Sequence, residues 1–112
     1  IMQKKGSETF SLADLQGTWT KHTLAAGDGN RWVRGTANID ATGILAWTSV
    51  ERSNGQSTLP VGETLAVSPD GIVTSPTNTS IHGVLSWDKN TLISVSTDET
   101  VTTRFKLTIS QK

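Results

Sequence analysis

Turn-forming residues punctuate this chain at nearly even spacing, and the rhythm restricts what it can fold into. The clusters are Ala26-Gly27-Asp28-Gly29-Asn30, Asp40-Ala41-Thr42-Gly43, Ser53-Asn54-Gly55-Gln56, Ser68-Pro69-Asp70-Gly71, Ser75-Pro76-Thr77-Asn78, Asp88-Lys89-Asn90 and Thr97-Asp98-Glu99. Gly and Asn tolerate positive φ, Pro presets φ, and Asp or Ser bonds back to its own backbone. Between the clusters lie short runs rich in Val, Ile, Thr and Trp. Short extended segments separated by frequent turns are the pattern of an all-β protein, here an antiparallel up-and-down meander of about eight strands. Closure into a barrel and packing as a β-sandwich both satisfy it.

The expected strands cover 17–24, 31–39, 44–52, 56–67, 72–74, 80–87, 91–96 and 100–110. Pro60 and Gly62 break the fourth, which therefore belongs at an edge or bulge. The third is ambiguous, because Ile44, Ala46, Thr48 and Val50 compete with Leu45, Trp47, Ser49 and Glu51 for the inner face. The last alternates most cleanly, with Val101, Thr103, Phe105, Leu107 and Ile109 expected inside and Thr102, Arg104, Lys106 and Thr108 outside. Ser11 and Asp14 frame a short helical turn that would aim Leu12 and Leu15 at one end of the sheet. Besides Leu15 and the inner residues of the last strand, the expected core includes Trp19, Val33, Ile39, Leu65, Val67 and Leu85. On that reading Phe105→Ala would lose about 3–5 kcal/mol. Residues 1–10 read as a loosely held arm and 11–112 as a single domain.

The 112 residues suffice for one core. Ten basic residues balance ten acidic ones, so no net basic field invites nucleic acid and no polybasic run invites anionic lipid. No apolar run is long enough for a spanning helix, so membrane insertion is not expected. Cysteine is absent, which removes disulfides, thiolate metal sites and a Cys nucleophile together. The Thr, Ser and Gly content points to an extracytoplasmic protein: periplasmic, secreted or on the cell surface. The first residues lack the apolar core and cleavage site of a signal peptide, so the chain reads as a mature protein or an excised domain.

Gly17-Thr18-Trp19, directly after the helical turn, resembles the Gly-x-Trp signature of lipocalins, avidins and related calycin barrels. The resemblance implies a barrel whose floor is closed by the helical turn. There the Trp would pack against an Arg of the last strand, a role that falls to Arg104. Where lipocalins carry Thr-Asp-Tyr, this chain has Thr97-Asp98-Glu99. More of the chain resembles all-β domains of similar length found, often in tandem, in bacterial exported proteins of unassigned function. That likeness rests on Leu15-Gln16-Gly17-Thr18-Trp19, Ser68-Pro69-Asp70-Gly71-Ile72-Val73 and Lys89-Asn90-Thr91-Leu92-Ile93.

Chemistry-bearing constellations are sparse. His22 and His82 each stand alone on a strand, and the Asp residues sit in turns where they serve backbone geometry. No nucleophile elbow, phosphate loop, metal-binding His pair or calcium loop occurs. Asn78-Thr79-Ser80 is formally a glycosylation sequon. An enzyme is therefore not expected, nor a cofactor or metal. The leading expectation is a structural or interaction module whose partners are neighbouring domains of a longer chain. The alternatives are a lipocalin-like barrel for a small ligand and a carbohydrate-binding module. Any ligand contact is expected at Trp32, Arg34 and Trp47, where Trp rings can stack on a sugar or line a cavity and Arg34 can lie over Trp32.

Overall fold

The computed structural model describes residues 9–27, 30–97 and 104–112. A 3-10 turn at Leu12–Asp14 precedes nine strands: β1 (Gly17–Ala26), β2 (Arg31–Ile39), β3 (Ile44–Arg52), β4 (Glu63–Thr64), β5 (Ala66–Val67), β6 (Ile72–Thr74), β7 (His82–Leu85), β8 (Thr91–Thr97) and β9 (Phe105–Gln111). They form one antiparallel sheet in the order β4-β3-β2-β1-β9-β8-β7-β6-β5. Its two outermost strands are halves of a single segment interrupted at Leu65. Glu63–Thr64 pairs with β3, while Ala66–Val67 pairs with β6. The sheet thus returns on itself as a barrel, and the sandwich alternative falls because the described residues form no second sheet. The expected broken strand resolves into β4 and β5, which raises the count to nine.

Turn chemistry sets the hairpins. Asp40 Oδ1 accepts from the Thr42 amide (2.9 Å), the Thr42 hydroxyl (2.6 Å) and the Ile44 amide (3.1 Å). Gly43 closes that turn at φ 86°. Ser68–Gly71 repeats the design: the Gly71 amide donates to Ser68 O, Ser68 Oγ accepts from the Ile72 amide, and Gly71 has φ 85°. The hydrogen bonds hold the Asp40 carboxyl below its ordinary 3.8, chiefly through the Thr42 hydroxyl.

The floor of the barrel is an apolar plug. Leu15, Trp19, Ala37, Ile39, Leu45 and Leu85 are all at least 98% buried, and Leu12 packs against them from the 3-10 turn. Trp19 Nε1 donates to Leu15 O at 2.7 Å, so the one polar atom of the ring is satisfied where water is excluded. Gly17 has φ 134°, a conformation open to glycine. The cation over the Trp19 ring is Lys112, with Nζ 5.2 Å from the centroid and donating to Asp14 O at 2.6 Å. Arg104, expected in that role, lines the opposite end of the barrel. Phe10 is also buried in the plug, and its amide donates to Pro69 O. The rest of the expected arm, except the exposed Thr9, lies outside the described residues, as do Val101, Thr102 and Thr103.

Two strands face differently from their simplest reading. In β3 a bulge opposite Thr36 and Ala37 inserts Thr48, so that Thr36 pairs with Ser49 but Ala37 pairs with Trp47. The inward set is therefore Leu45 and Trp47, then Val50 and Arg52, and neither simple alternation holds along the whole strand. Gly35 makes this crossing feasible: a Cβ there would sit 2.1 Å from Ser49 O. In β9 the alternation is real but inverted. Phe105, Leu107 and Ile109 are 62%, 41% and 42% exposed, while Lys106, Thr108 and Ser110 face inward. Register explains it: β9 pairs with β1 so that Ser110 opposes Lys21 and Thr108 opposes Thr23, and those residues share the inner face with Trp19. Val33 and Val67, also expected in the core, are only partly buried.

Candidate functional site: a polar cavity in the open half of the barrel

Above the plug the interior changes character. A cavity of ≈ 260 Å³ opens at the end opposite the 3-10 turn. Four walls supply its polar groups: Lys21 and Thr23 from β1, Trp47 and Arg52 from β3, Ser94 and Ser96 from β8, and Lys106 and Thr108 from β9. Glu63 enters from β4, and Pro60 and Val61 of the β3–β4 connection lie at the mouth. Arg52 donates through Nη1 to Thr58 O, which ties that connection to the rim.

Strand pairing presets the arrangement. Thr23 and Thr108 are opposite each other and share a hydroxyl hydrogen bond of 2.8 Å. One step deeper, Lys21 Nζ donates to Ser110 Oγ at 3.3 Å and lies 5.7 Å from the centre of the Trp47 ring. Gly35 opposes Lys21 on the neighbouring strand, where a Cβ would run into the backbone of Ser49 and Val50. Burial pushes the Lys21 ammonium below its ordinary 10.5, and the negative charge of Glu63 opposes that shift without cancelling it.

Charge is concentrated here. Among the described residues, the lining includes Lys21, Arg31, Arg52, Arg104 and Lys106 against the single carboxylate of Glu63. The whole chain, by contrast, carries ten of each sign. Arg104 and Lys106 have partners of their own. Lys21 has three N–H donors and, among the described residues, one hydrogen-bond acceptor.

Of the three residues singled out from the sequence, Trp32 and Trp47 line this cavity and Arg34 does not. Trp47 is part-buried inside the cavity wall. Trp32 sits at the rim, 40% exposed, with Arg34 over its ring at 5.7 Å. Arg34 lies on the outer surface, fixed to Glu51 at 2.8 Å, and does not line the cavity. Lys21, Thr23, Thr108 and Glu63 were missed. Lys21 and Thr23 were legible: Trp19 must face inward, and period-two alternation carries the next inward positions to them. His22 and His82 are both exposed, and among the described residues no group of three or more His, Asp or Glu side chains comes together.

No family model matches the chain, and no curated protein matches it in sequence. Two chains among solved structures do match. One is a complex of bovine odorant binding protein with a selenium-containing odorant. It is 17% identical, the match covers 99% of this chain and 77% of that one, and the TM-score is 0.45. The odorant belongs to that protein.

Proposed function

We propose that this domain is a non-catalytic binding module whose barrel holds one small amphipathic anion. The observation that carries the reading is Lys21: a part-buried ammonium at the base of a cavity, beside an indole face and with one matched donor. A buried cation without full pairing weakens a fold, so its place is better accounted for by a ligand than by stability. An anionic head would seat on Lys21 between the Ser110, Thr23 and Thr108 hydroxyls. Its apolar part would lie along Trp47 toward Val61 and Pro60. At roughly 20–30 Å³ per non-hydrogen atom, on the scale of a water's volume share, the cavity takes a ligand of about ten such atoms.

The carbohydrate reading is weaker, because Arg34 covers the ring of Trp32 and is itself held by Glu51. The interaction-module reading draws support from a different surface, the outer face of the barrel. An extracytoplasmic location remains the reading of the composition. Among the described residues no helix is long and apolar enough to cross a membrane.

The test is thermal denaturation with octanoate, octylamine and octanol. Octanoate is expected to raise Tm by several degrees at neutral pH, octanol less and octylamine not at all, with the octanoate response lost in Lys21→Met. Equal responses to all three, or an undiminished response in Lys21→Met, would overturn the proposal.

A further inference from the structure

The inversion of β9 leaves apolar side chains on the outside of the barrel, and pairing aligns them into rows. Ile72, Val84, Ile93 and Ile109 are opposite one another across β6, β7, β8 and β9. A second row runs Val95, Leu107, Leu24 across β8, β9 and β1 and continues to Trp32 on β2. Phe105 stands beside it, opposite Ala26 and Thr97. These eight aliphatic and Phe side chains are 41% to 63% exposed. Leu24, Val95, Phe105 and Leu107 wall a shallow groove of ≈ 470 Å³, and Lys106 is the charged residue at its margin.

We infer that this outer face is where a second copy of the chain docks. Its outward positions on β1, β7, β8 and β9 carry no Asp, Glu, Lys or Arg, His22 and His82 being the polar heterocycles at its border. Two such faces meet across a two-fold axis without burying a formal charge or opposing like charges. The rows run over six of the nine strands, so a two-fold contact centred on β8 and β9 draws on their central part toward the ~800 Å² that each partner gives up in a standard-size interface. The strands beneath it, β1, β9, β8 and β7, are paired on both sides, so association is face to face rather than by edge extension.

A lipid surface fits less well. A membrane-spanning barrel carries its apolar band all the way round. Here the band ends at β2, where the Arg34–Glu51 pair lies beside Trp32, and the hydroxyl cluster of Thr36, Thr48 and Ser49 follows on β2 and β3. Adsorption to anionic headgroups needs a basic fringe, and among the described residues this face is bordered by Lys106 and by Arg34, which Glu51 already pairs.

Sedimentation analysis of the 112-residue chain over micromolar to hundred-micromolar concentration tests the inference. A shift from 12.0 kDa toward twice that mass is expected. Leu107→Asp is expected to weaken the dimer roughly thirtyfold or more, the scale of a central interface residue, with an unchanged far-UV circular dichroism spectrum. The native chain has no cysteine, so a single Val95→Cys substitution gives an independent readout. It is expected to form a disulfide- or bismaleimide-linked dimer, and Thr48→Cys on β3 is not. A native chain that stays monomeric throughout overturns the inference. So do equal cross-linking yields at the two positions, or a monomer that co-sediments with phosphatidylcholine vesicles.

Discussion

Replacing Lys21 by Met separates ligand binding from stability. The lysine makes one 3.3 Å hydrogen bond and one 5.7 Å ring contact. Together these are worth about 1–2 kcal/mol. Against them stands the desolvation of a part-buried ammonium, the dominant influence on its titration. Exchanging a buried ionic group for a well-packed apolar one of similar length is neutral or stabilising by about 1–4 kcal/mol. Met matches the reach of Lys and lies against the same indole, so Lys21→Met should gain about 1–2 kcal/mol at pH 7. In a chain of this size that raises Tm by roughly 5–10 °C. The pH dependence has a definite sign. Below the depressed native pKa the ammonium is charged in both states and the penalty is complete. As pH rises through that pKa toward 10.5 the native state releases its proton first, and the penalty fades. Urea titrations over a pH series should therefore show the gap between variant and native protein narrowing as pH rises toward 10.5. A variant less stable than the native protein at pH 7 would refute the reasoning, because Lys21 would then be a structural partner of Glu63.

Phe105→Ala should lose less than about 1 kcal/mol in urea titration, since its ring is 62% exposed, whereas Leu85→Ala, 1% exposed, should lose about 2–5 kcal/mol. Gly35→Ala places a Cβ 2.1 Å from a backbone oxygen and should abolish the cooperative thermal transition or lower Tm by more than 10 °C, an effect of about 3 kcal/mol or larger. Trp19→Phe leaves Leu15 O without its donor in a site closed to water, and calorimetry should register a loss of about 2–4 kcal/mol. Asp40 and Asp88 have carboxyls held below 3.8, mainly by the Thr42 and Ser86 hydroxyls. Their contribution is present above that value and is lost as pH falls through the depressed native pKa. Asp40→Asn should accordingly flatten the acid limb of the stability profile.

Much of the fold was legible because turn chemistry is local. Asp40, Gly43, Ser68 and Gly71 dictate their hairpins through side-chain acceptors and positive φ, whatever packs around them. The floor around Trp19 was expected from the resemblance of Gly17-Thr18-Trp19 to calycin barrels, but the cation over that ring is Lys112 and not Arg104. Which face of a strand turns inward is not local. β9 alternates perfectly either way round, and only its register with β1 decides that Lys106 and Thr108 go inside. The usual rule that the apolar side is the core fails there, because this half of the barrel encloses a polar cavity. β3 resisted reading because a bulge at Thr48 resets its alternation halfway. Of the conspicuous aromatics, Trp47 and Trp32 both line the cavity, whereas Arg34 lies on the outer surface, held by Glu51.

The most direct test of the binding proposal follows the indole N–H resonances of the four Trp residues in ¹⁵N-correlation spectra during titration with octanoate. Trp47, in the cavity wall beside Lys21, should shift progressively and saturate. Trp19, sealed in the floor with its N–H on Leu15 O, should stay in place, and Trp32 at the rim should move little. In Lys21→Met the Trp47 response should vanish while the other three resonances keep their native positions. A saturable shift confined to Trp32, or four unmoved resonances at millimolar octanoate, would contradict the assignment of the barrel interior as an anion-binding cavity.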